Sequence, residues 1–139
     1  MSQEQIAKLI QASSERGKPF SVLIVDDEQW VRDVFRDFCE TANVFDVELA
    51  ESGAEAIDKI REKQYDLVTL DIIMPEMSGL ETLTRMKRIA PQLPVVVITG
   101  NATDKLVNEA GVLGACRVMY KPVRLETFLS EVTSALLKR

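Results

Sequence analysis

The chain of 139 residues is 46% hydrophobic and 28% charged, which is the size and composition of one globular domain and leaves no room for a second catalytic domain. No apolar run is long enough to span a bilayer and the start of the chain lacks a signal-peptide core, so we expect a cytoplasmic protein with no membrane partner. The net charge of −5 disfavours direct nucleic-acid binding, and the absence of histidine excludes a Ser-His-Asp triad, histidine metal ligands and a phosphohistidine carrier.

Residues 1–19 are predicted to be an extension and linker that precede the main domain, which we place at residues 20–139. Ile6, Leu9 and Ile10 give a weak helical pattern, and Gly17 and Pro19 break it. Two interpretations stay open, a short docked helix and a frayed tail, because so short a helix is marginal unless it packs against something.

Five short apolar runs are predicted to be strands, and an amphipathic helical pattern follows each of them. The strands are expected at residues 20–25, 45–50, 67–70, 94–98 and 116–120, and the helices from about residue 31, at 52–63, 79–89 and 103–112, and from residue 125. Strands that alternate with helices form parallel sheets through right-handed crossovers. The predicted fold class is therefore α/β, a doubly wound five-stranded parallel sheet with helices on both faces.

Polar side chains follow four of the predicted strands at the point where each strand ends. Asp26 and Asp27 follow the first strand, Asp71 the third and Lys121 the fifth, and Thr99 follows the fourth. The carboxyl ends of parallel strands share one edge of the sheet, where open α/β folds bind ligands. A turn or a helix start explains each acid singly, but the coincidence at four strand ends favours one shared site.

Magnesium is the cofactor that this set of side chains predicts. Three neighbouring carboxylates repel one another at neutral pH unless a divalent cation lies between them. Mg²⁺ prefers hard oxygen ligands, needs only one or two carboxylates and bridges to phosphate. A carboxylate can also act as a nucleophile and form an acyl phosphate, while a metal and a lysine neutralise the phosphoryl oxygens.

These motifs together make the chain resemble the receiver domain of two-component response regulators, the CheY-like family, over about residues 20–138. The resemblance implies a flavodoxin-like sheet with strand order 2-1-3-4-5. The motifs that carry it are Asp26-Asp27, Asp71 with Met74-Pro75-x-x-x-Gly79, Thr99-Gly100 and Lys121-Pro122.

The resemblance also implies a role for each acid of the site. Asp71 would be the phosphoacceptor, Asp27 a direct Mg²⁺ ligand and Asp26 a largely water-mediated one. The backbone carbonyl of Ile73 would complete the metal shell. Each of these roles is carried over from the family motif to the matching position of this chain.

Two further site residues and one departure from the pattern concern the end of the fifth strand. By the resemblance, Thr99 and Lys121 contact the phosphoryl group, and a cis bond to Pro122 aims the lysine. Receivers usually place Tyr or Phe three residues before the lysine as a switch residue, but this chain has Val118 there. Tyr120 shares the strand parity of Val118 and is either its replacement or an edge-packing residue.

The implied function is a signalling switch in which Asp71 accepts a phosphoryl group from a histidine kinase or a phosphotransfer protein. An effector would bind to the face formed by the helix at 103–112, the fifth strand and the last helix, and so respond to the change. The chain would be either a stand-alone receiver or part of a longer regulator, and phosphorylation-dependent dimerisation is one form of output.

Two alternatives are a Mg²⁺-dependent phosphohydrolase or phosphotransferase with an aspartyl nucleophile and an unphosphorylated scaffold. The enzyme normally needs a second acid where this chain has Ile73, and the scaffold is disfavoured because every charged member of the site is present. We therefore expect no enzyme beyond self-phosphorylation and autodephosphorylation.

Some predictions concern single side chains. Ile73 has no polar group to orient an attacking water, so we predict slow autodephosphorylation. Trp30 lies about one turn after Asp27, and two interpretations stay open: a position near the site, or a partly buried packing residue. Asn101 is predicted to cap the following helix. Cys39 and Cys116 form no C-x-x-C motif and are predicted to be two buried, reduced thiols.

Overall fold

The computed structural model describes residues 3–75 and 77–137, and within them the chain forms six helices and five strands. The predicted domain bounds at residues 1 and 139, and the end of the family resemblance at residue 138, lie outside these residues. The elements are α1 (Gln3–Arg16), β1 (Phe20–Val25), α2 (Gln29–Ala42), β2 (Phe45–Ala50), α3 (Gly53–Glu62), β3 (Leu67–Leu70), α4 (Gly79–Ile89), β4 (Val95–Thr99), α5 (Asp104–Val112), β5 (Arg117–Tyr120) and α6 (Leu125–Leu137).

All five strands are parallel and lie in the order β2-β1-β3-β4-β5. The predicted α/β class, the parallel sheet and the strand order are confirmed. Every residue of β3 and β4 is buried, as expected where helices cover both faces of a parallel sheet. The register pairs the last residue of β1 with the last residue of β3, so the segments that follow these strands leave the sheet side by side.

The core consists of two layers, one on each face of the sheet. On one face Val22 and Ile24 of β1 pack with residues of α1, α2 and α6. On the other face Leu23 and Val25 pack with residues of α3, α4 and α5. This alternation follows from the two-residue period of a strand.

The chain before β1 forms a helix that packs on α6. Leu9 of α1 is 1% exposed and belongs to the same core layer as α2 and α6. Nε2 of Gln5 lies 3.3 Å from Oγ of Ser134, on α6. A short helix needs such burial of an apolar side chain against another element to be stable. The division of the chain into an extension at residues 1–19 and a domain at residues 20–139 stays a prediction.

Three single-residue predictions are wrong. Thr103 caps α5, since its Oγ1 accepts from the N–H of Leu106 at 3.2 Å, and Asn101 lies before the cap. Trp30 is 66% exposed because it lies on the first turn of α2, beside the buried stripe of that helix, and its indole N–H donates to Glu28 at 2.9 Å. Cys116 is free but exposed, in the turn before β5, while Cys39 is free and buried as predicted.

Candidate functional site

Three carboxylates meet at the carboxyl edge of the sheet. Asp26, Asp27 and Asp71 each offer an oxygen within 4.8 Å of the others. Asp26 and Asp71 follow the neighbouring strands β1 and β3 and are only 2% and 5% exposed, whereas Asp27 is exposed. The N–H of Asp71 donates to the carbonyl of Val25 at 3.1 Å, which continues the strand pairing as far as the acid. Two buried acids and one accessible acid thus lie together at this edge of the sheet.

Lys121 places its ammonium between the two buried acids. Its Nζ lies 2.7 Å from Oδ2 of Asp26 and 3.1 Å from Oδ2 of Asp71. Burial opposes the charged form, but the hydrogen bond to Asp26 and the negative charges of both acids outweigh it and raise the pKa of Lys121. The backbone N–H of Lys121 donates to the carbonyl of Thr99 at 2.9 Å. The peptide bond between Lys121 and Pro122 is cis, as the resemblance implied.

The carboxylate of Asp71 has two different environments. Its Oδ1 accepts from the N–H of Ile73 at 2.9 Å, in the turn that a carboxylate forms with the backbone two residues on. Its Oδ2 faces Lys121. Burial raises the pKa of Asp71, and the Ile73 N–H and the lysine charge counter this rise only in part. One oxygen is therefore held by the backbone, and the other is directed to the ammonium.

Gly79 lets the first turn of α4 approach the segment that carries the acceptor candidate. Its N–H donates to the carbonyl of Ile72 at 3.2 Å. A Cβ at this position would lie 2.0 Å from Cα of Ile72 and 2.7 Å from the carbonyl oxygen of Asp71. These distances are far below van der Waals contact, so only glycine allows this packing.

Thr99 is fully buried at the end of β4, and its Oγ1 has no hydrogen-bond partner among residues 3–75 and 77–137. An unpaired buried hydroxyl costs about 1–3 kcal/mol, so this position favours a ligand that accepts its hydrogen bond. The three carboxylates supply hard oxygen ligands of the kind that Mg²⁺ prefers, and Mg²⁺ readily bridges such ligands to a phosphoryl group.

One residue near the site was missed by sequence reasoning. Nη1 of Arg32, on α2, donates to the carbonyl of Asp26 at 2.7 Å. An arginine on an amphipathic helix carries no motif signal and is usually a solvated charge. Its contact depends on the course of the loop between β1 and α2, which the residue pattern does not give.

The fold and the site define a class: a flavodoxin-like α/β protein with a carboxylate pocket at the carboxyl edge of its sheet. The family model for the response regulator receiver domain matches residues 22–133. The chain belongs to this family, and the recognition made from the motifs is confirmed. Receiver domains are phosphorylation-activated switches of two-component systems that bind Mg²⁺ in an acidic pocket and interact with histidine kinases and effector domains.

Individual relatives agree with this assignment. The chemotaxis protein CheY of Bacillus subtilis (strain 168) is 33% identical over 115 residues, which span 83% of this chain and 96% of that protein. The response regulator MprA of Mycobacterium sp. (strain KMS) is 37% identical over 123 residues, which span 87% of this chain but 52% of that protein. The chain thus spans about half the length of the MprA relatives that it matches.

Solved structures show the same fold. The CheY-like receiver domain protein from Methanospirillum hungatei JF-1 superposes with a TM-score of 0.84 at 26% identity, covering 87% of this chain and 96% of that one. A two-component response regulator from Clostridium difficile superposes with a TM-score of 0.81 at 26% identity, covering 86% of this chain and 97% of that one. No helix in the described ranges is both long and apolar enough to cross a membrane.

Proposed function

We propose that Asp71 is the phosphoacceptor of this receiver and that Asp26, Asp27, Asp71 and the Ile73 carbonyl hold Mg²⁺. The observation that carries the proposal is the position of Lys121, whose ammonium contacts both buried acids while Asp27 stays accessible beside them. A lysine that only neutralised a buried acid at a strand end would need to contact one carboxylate, whereas Lys121 contacts two. A cation that meets the acceptor and a neighbouring carboxylate is placed for phosphoryl chemistry.

The phosphoryl donor is a phosphohistidine of a histidine kinase or a phosphotransfer protein. A carboxylate oxygen of Asp71 attacks the phosphorus, the P–N bond breaks, and the electron pair returns to the imidazole, which takes up a proton. The product is an acyl phosphate on Asp71. Bound Mg²⁺ would neutralise charge on the phosphoryl oxygens. Lys121 donates to one phosphoryl oxygen and the unpaired hydroxyl of Thr99 to another.

The output surface is the face of α5, β5 and α6. Val112 and Tyr120 are large side chains that stay exposed there. Thr99 and Tyr120 are paired residues of β4 and β5, so the buried threonine is the strand neighbour of a residue on this face, and we propose that a shift of its hydroxyl toward a phosphoryl oxygen alters the position of Tyr120. An effector, or a second copy of the phosphorylated chain, would read the change. Val118 is half-buried, whereas Tyr120 is exposed. Of these two candidates for the switch residue, Tyr120 is therefore the side chain that has space to change its position.

A magnesium-dependent phosphohydrolase with an aspartyl nucleophile is not favoured. Such an enzyme needs a general acid near the nucleophile, and the residue two positions after Asp71 is Ile73, whose exposed side chain has no proton to give. We propose that the chemistry ends at one acyl phosphate and its slow hydrolysis.

Incubation with acetyl phosphate and Mg²⁺, followed by intact mass measurement, tests the proposal. We expect a mass increase of one phosphoryl group that is lost with hydroxylamine, needs Mg²⁺ and disappears in Asp71→Asn. Asp33→Asn removes an acid of α2 that pairs with Arg36 and serves as the matched control, with full labelling. An unchanged mass, or labelling that survives in Asp71→Asn, would refute the assignment.

A further inference from the structure

Arg32 is an arginine of α2 whose side chain is only 11% exposed. Its Nη1 donates to the carbonyl of Asp26 at 2.7 Å, and its Nη2 lies 3.9 Å from Oε2 of Glu51. Removing a guanidinium from water is costly unless its donors are used. The short bond to Asp26 therefore is the contact that explains where this side chain lies.

The three acids of the pocket are not held equally. Oxygens of Asp26 accept from the N–H of Glu28 at 2.9 Å and from Lys121. Asp71 is held by the Ile73 N–H and by Lys121. Within the described ranges, no hydrogen bond or ion pair anchors the carboxylate of Asp27. Its position depends on the backbone alone.

The backbone that positions Asp27 is the peptide unit that Arg32 contacts. A peptide unit is planar, so the Asp26 carbonyl, the Asp27 N–H and the Asp27 Cα lie in one plane. Fixing the carbonyl through Arg32 therefore restricts the position of the Asp27 Cα, from which the carboxylate side chain extends. The acid that lacks an anchor of its own thus shares a rigid unit with an anchored oxygen.

We propose that Arg32 is a positioning residue that holds the peptide between Asp26 and Asp27 so that Asp27 is presented to Mg²⁺, and that it thereby sets the Mg²⁺ affinity of the site. This inference rests on the proposed function, in which Asp27 is a metal ligand. The charge of Arg32 acts in the opposite direction, because a cation near the pocket repels Mg²⁺. Positioning and charge therefore predict opposite changes in affinity when the arginine is removed.

Calorimetric titration of the intact chain with Mg²⁺ measures the sign of this change. In Arg32→Met we expect the Kd for Mg²⁺ to rise about tenfold, the lower end of the range for outer-shell partners of metal ligands. In Arg32→Lys the charge stays but the planar fork is lost, and we expect the Kd for Mg²⁺ to rise by less than in Arg32→Met. Arg32→Lys also carries the test if the methionine variant fails to fold.

Arg36→Met is the matched control. Arg36 lies one turn further along α2 and pairs with Asp33, Asp37 and Glu40. Its loss changes the net charge by the same amount as Arg32→Met, so we expect the Kd for Mg²⁺ to stay within about twofold of wild type. Glu51→Gln removes the distant partner of Arg32 and leaves the Asp26 contact, so it too leaves the Kd unchanged.

A second readout separates positioning from a purely structural role. Mg²⁺ raises the Tm of the wild type through binding to the folded state. A structural role would lower the Tm of Arg32→Met without metal and leave the increase caused by Mg²⁺ intact, whereas positioning reduces that increase. An unchanged or lower Kd in both Arg32 variants overturns the inference while the wild type still binds Mg²⁺. A wild type that binds no Mg²⁺ overturns the proposed metal site and this inference with it.

Discussion

Nη2 of Arg16, at the end of α1, lies 3.1 Å from each carboxylate oxygen of Asp66, the residue before β3. The same guanidinium lies over the ring of Phe20 at 4.5 Å, and the Asp66 carboxylate also accepts from the N–H of Ser21 at 2.8 Å. The end of α1 is therefore tied to the beginnings of two central strands. These contacts make α1 part of the packed structure even though the family match begins at residue 22.

Removing the buried anchor of α1 should destabilise the whole protein. Leu9→Ala is expected to lower the free energy of unfolding by about 2–4 kcal/mol, as in other truncations of buried leucines. Ile10→Ala, on the next residue of the same helix, removes a side chain that is 48% exposed and is expected to cost well under half as much. Urea unfolding measures both values. Equal effects of the two variants would mean that α1 is not docked in solution.

Asp27→Asn should separate stability from metal binding. Asp27 lies beside two other carboxylates and has no anchoring partner among the described residues, so its charge is repelled in the folded state. We expect the free energy of unfolding, measured in EDTA, to be unchanged or raised. The affinity for Mg²⁺ should fall by about tenfold or more, a loss of about 1.4 kcal/mol per factor of ten. Asp37→Asn on the exposed face of α2 is the control, and a loss of stability in Asp27→Asn alone would contradict the repulsion.

Ile73→Asn should shorten the lifetime of the acyl phosphate. Ile73 is exposed beside Asp71, and an amide there can orient a water molecule for attack on the phosphorus. We expect loss of the phosphoryl group to accelerate about tenfold, which corresponds to about 1.4 kcal/mol of the barrier. The decay is followed by mass after removal of acetyl phosphate. Ile73→Val keeps the apolar character and should decay like wild type; equal rates for the asparagine and valine variants would refute the role of polarity.

Gly79→Ala should disturb the backbone of Asp71 and Ile72. The added Cβ would meet the backbone of Ile72 and Asp71, which cannot give way as a flexible side chain can. We expect a loss of about 2 kcal/mol or more in the free energy of unfolding, typical of overpacking, together with reduced phosphorylation. Gly111→Ala is the control, because nothing lies within 4 Å of its added Cβ and alanine favours the helix by up to about 1 kcal/mol. Similar losses in both variants would exclude the close contact as the cause.

The two thiols should react with Ellman's reagent at very different rates. Cys116 is exposed, whereas Cys39 is buried and burial raises the pKa of its thiol to about 12. Since the thiolate is the reactive form, we expect one thiol to react in the native protein at pH 8 and the second only in denaturant. Cys116→Ser removes the native reaction, and rapid labelling in that variant would show that Cys39 is accessible.

The sequence pattern was sufficient to predict the five strands and the convergence of their carboxyl ends at one edge of the sheet. Asp71 and Lys121 follow short apolar runs, and parallel strands must deliver such residues to one edge. The contact of Arg32 with Asp26 could not be found in this way, because it depends on the path of a loop. The exposure of Trp30 was mispredicted for a related reason: a residue type gives an average burial, while its place beside the apolar stripe of a helix decides the actual one.

The pair of Lys121 and Asp26 joins residues 95 positions apart in the chain, and Lys121 follows β5, which forms one outer edge of the sheet. Because translation runs from the N-terminus, Asp26 and Asp71 are made well before the ammonium that balances their charge. The proposed phosphoryl site is therefore complete only when β5 has joined the sheet, and we expect a chain truncated before residue 117 to keep the acids but lack their counter-charge.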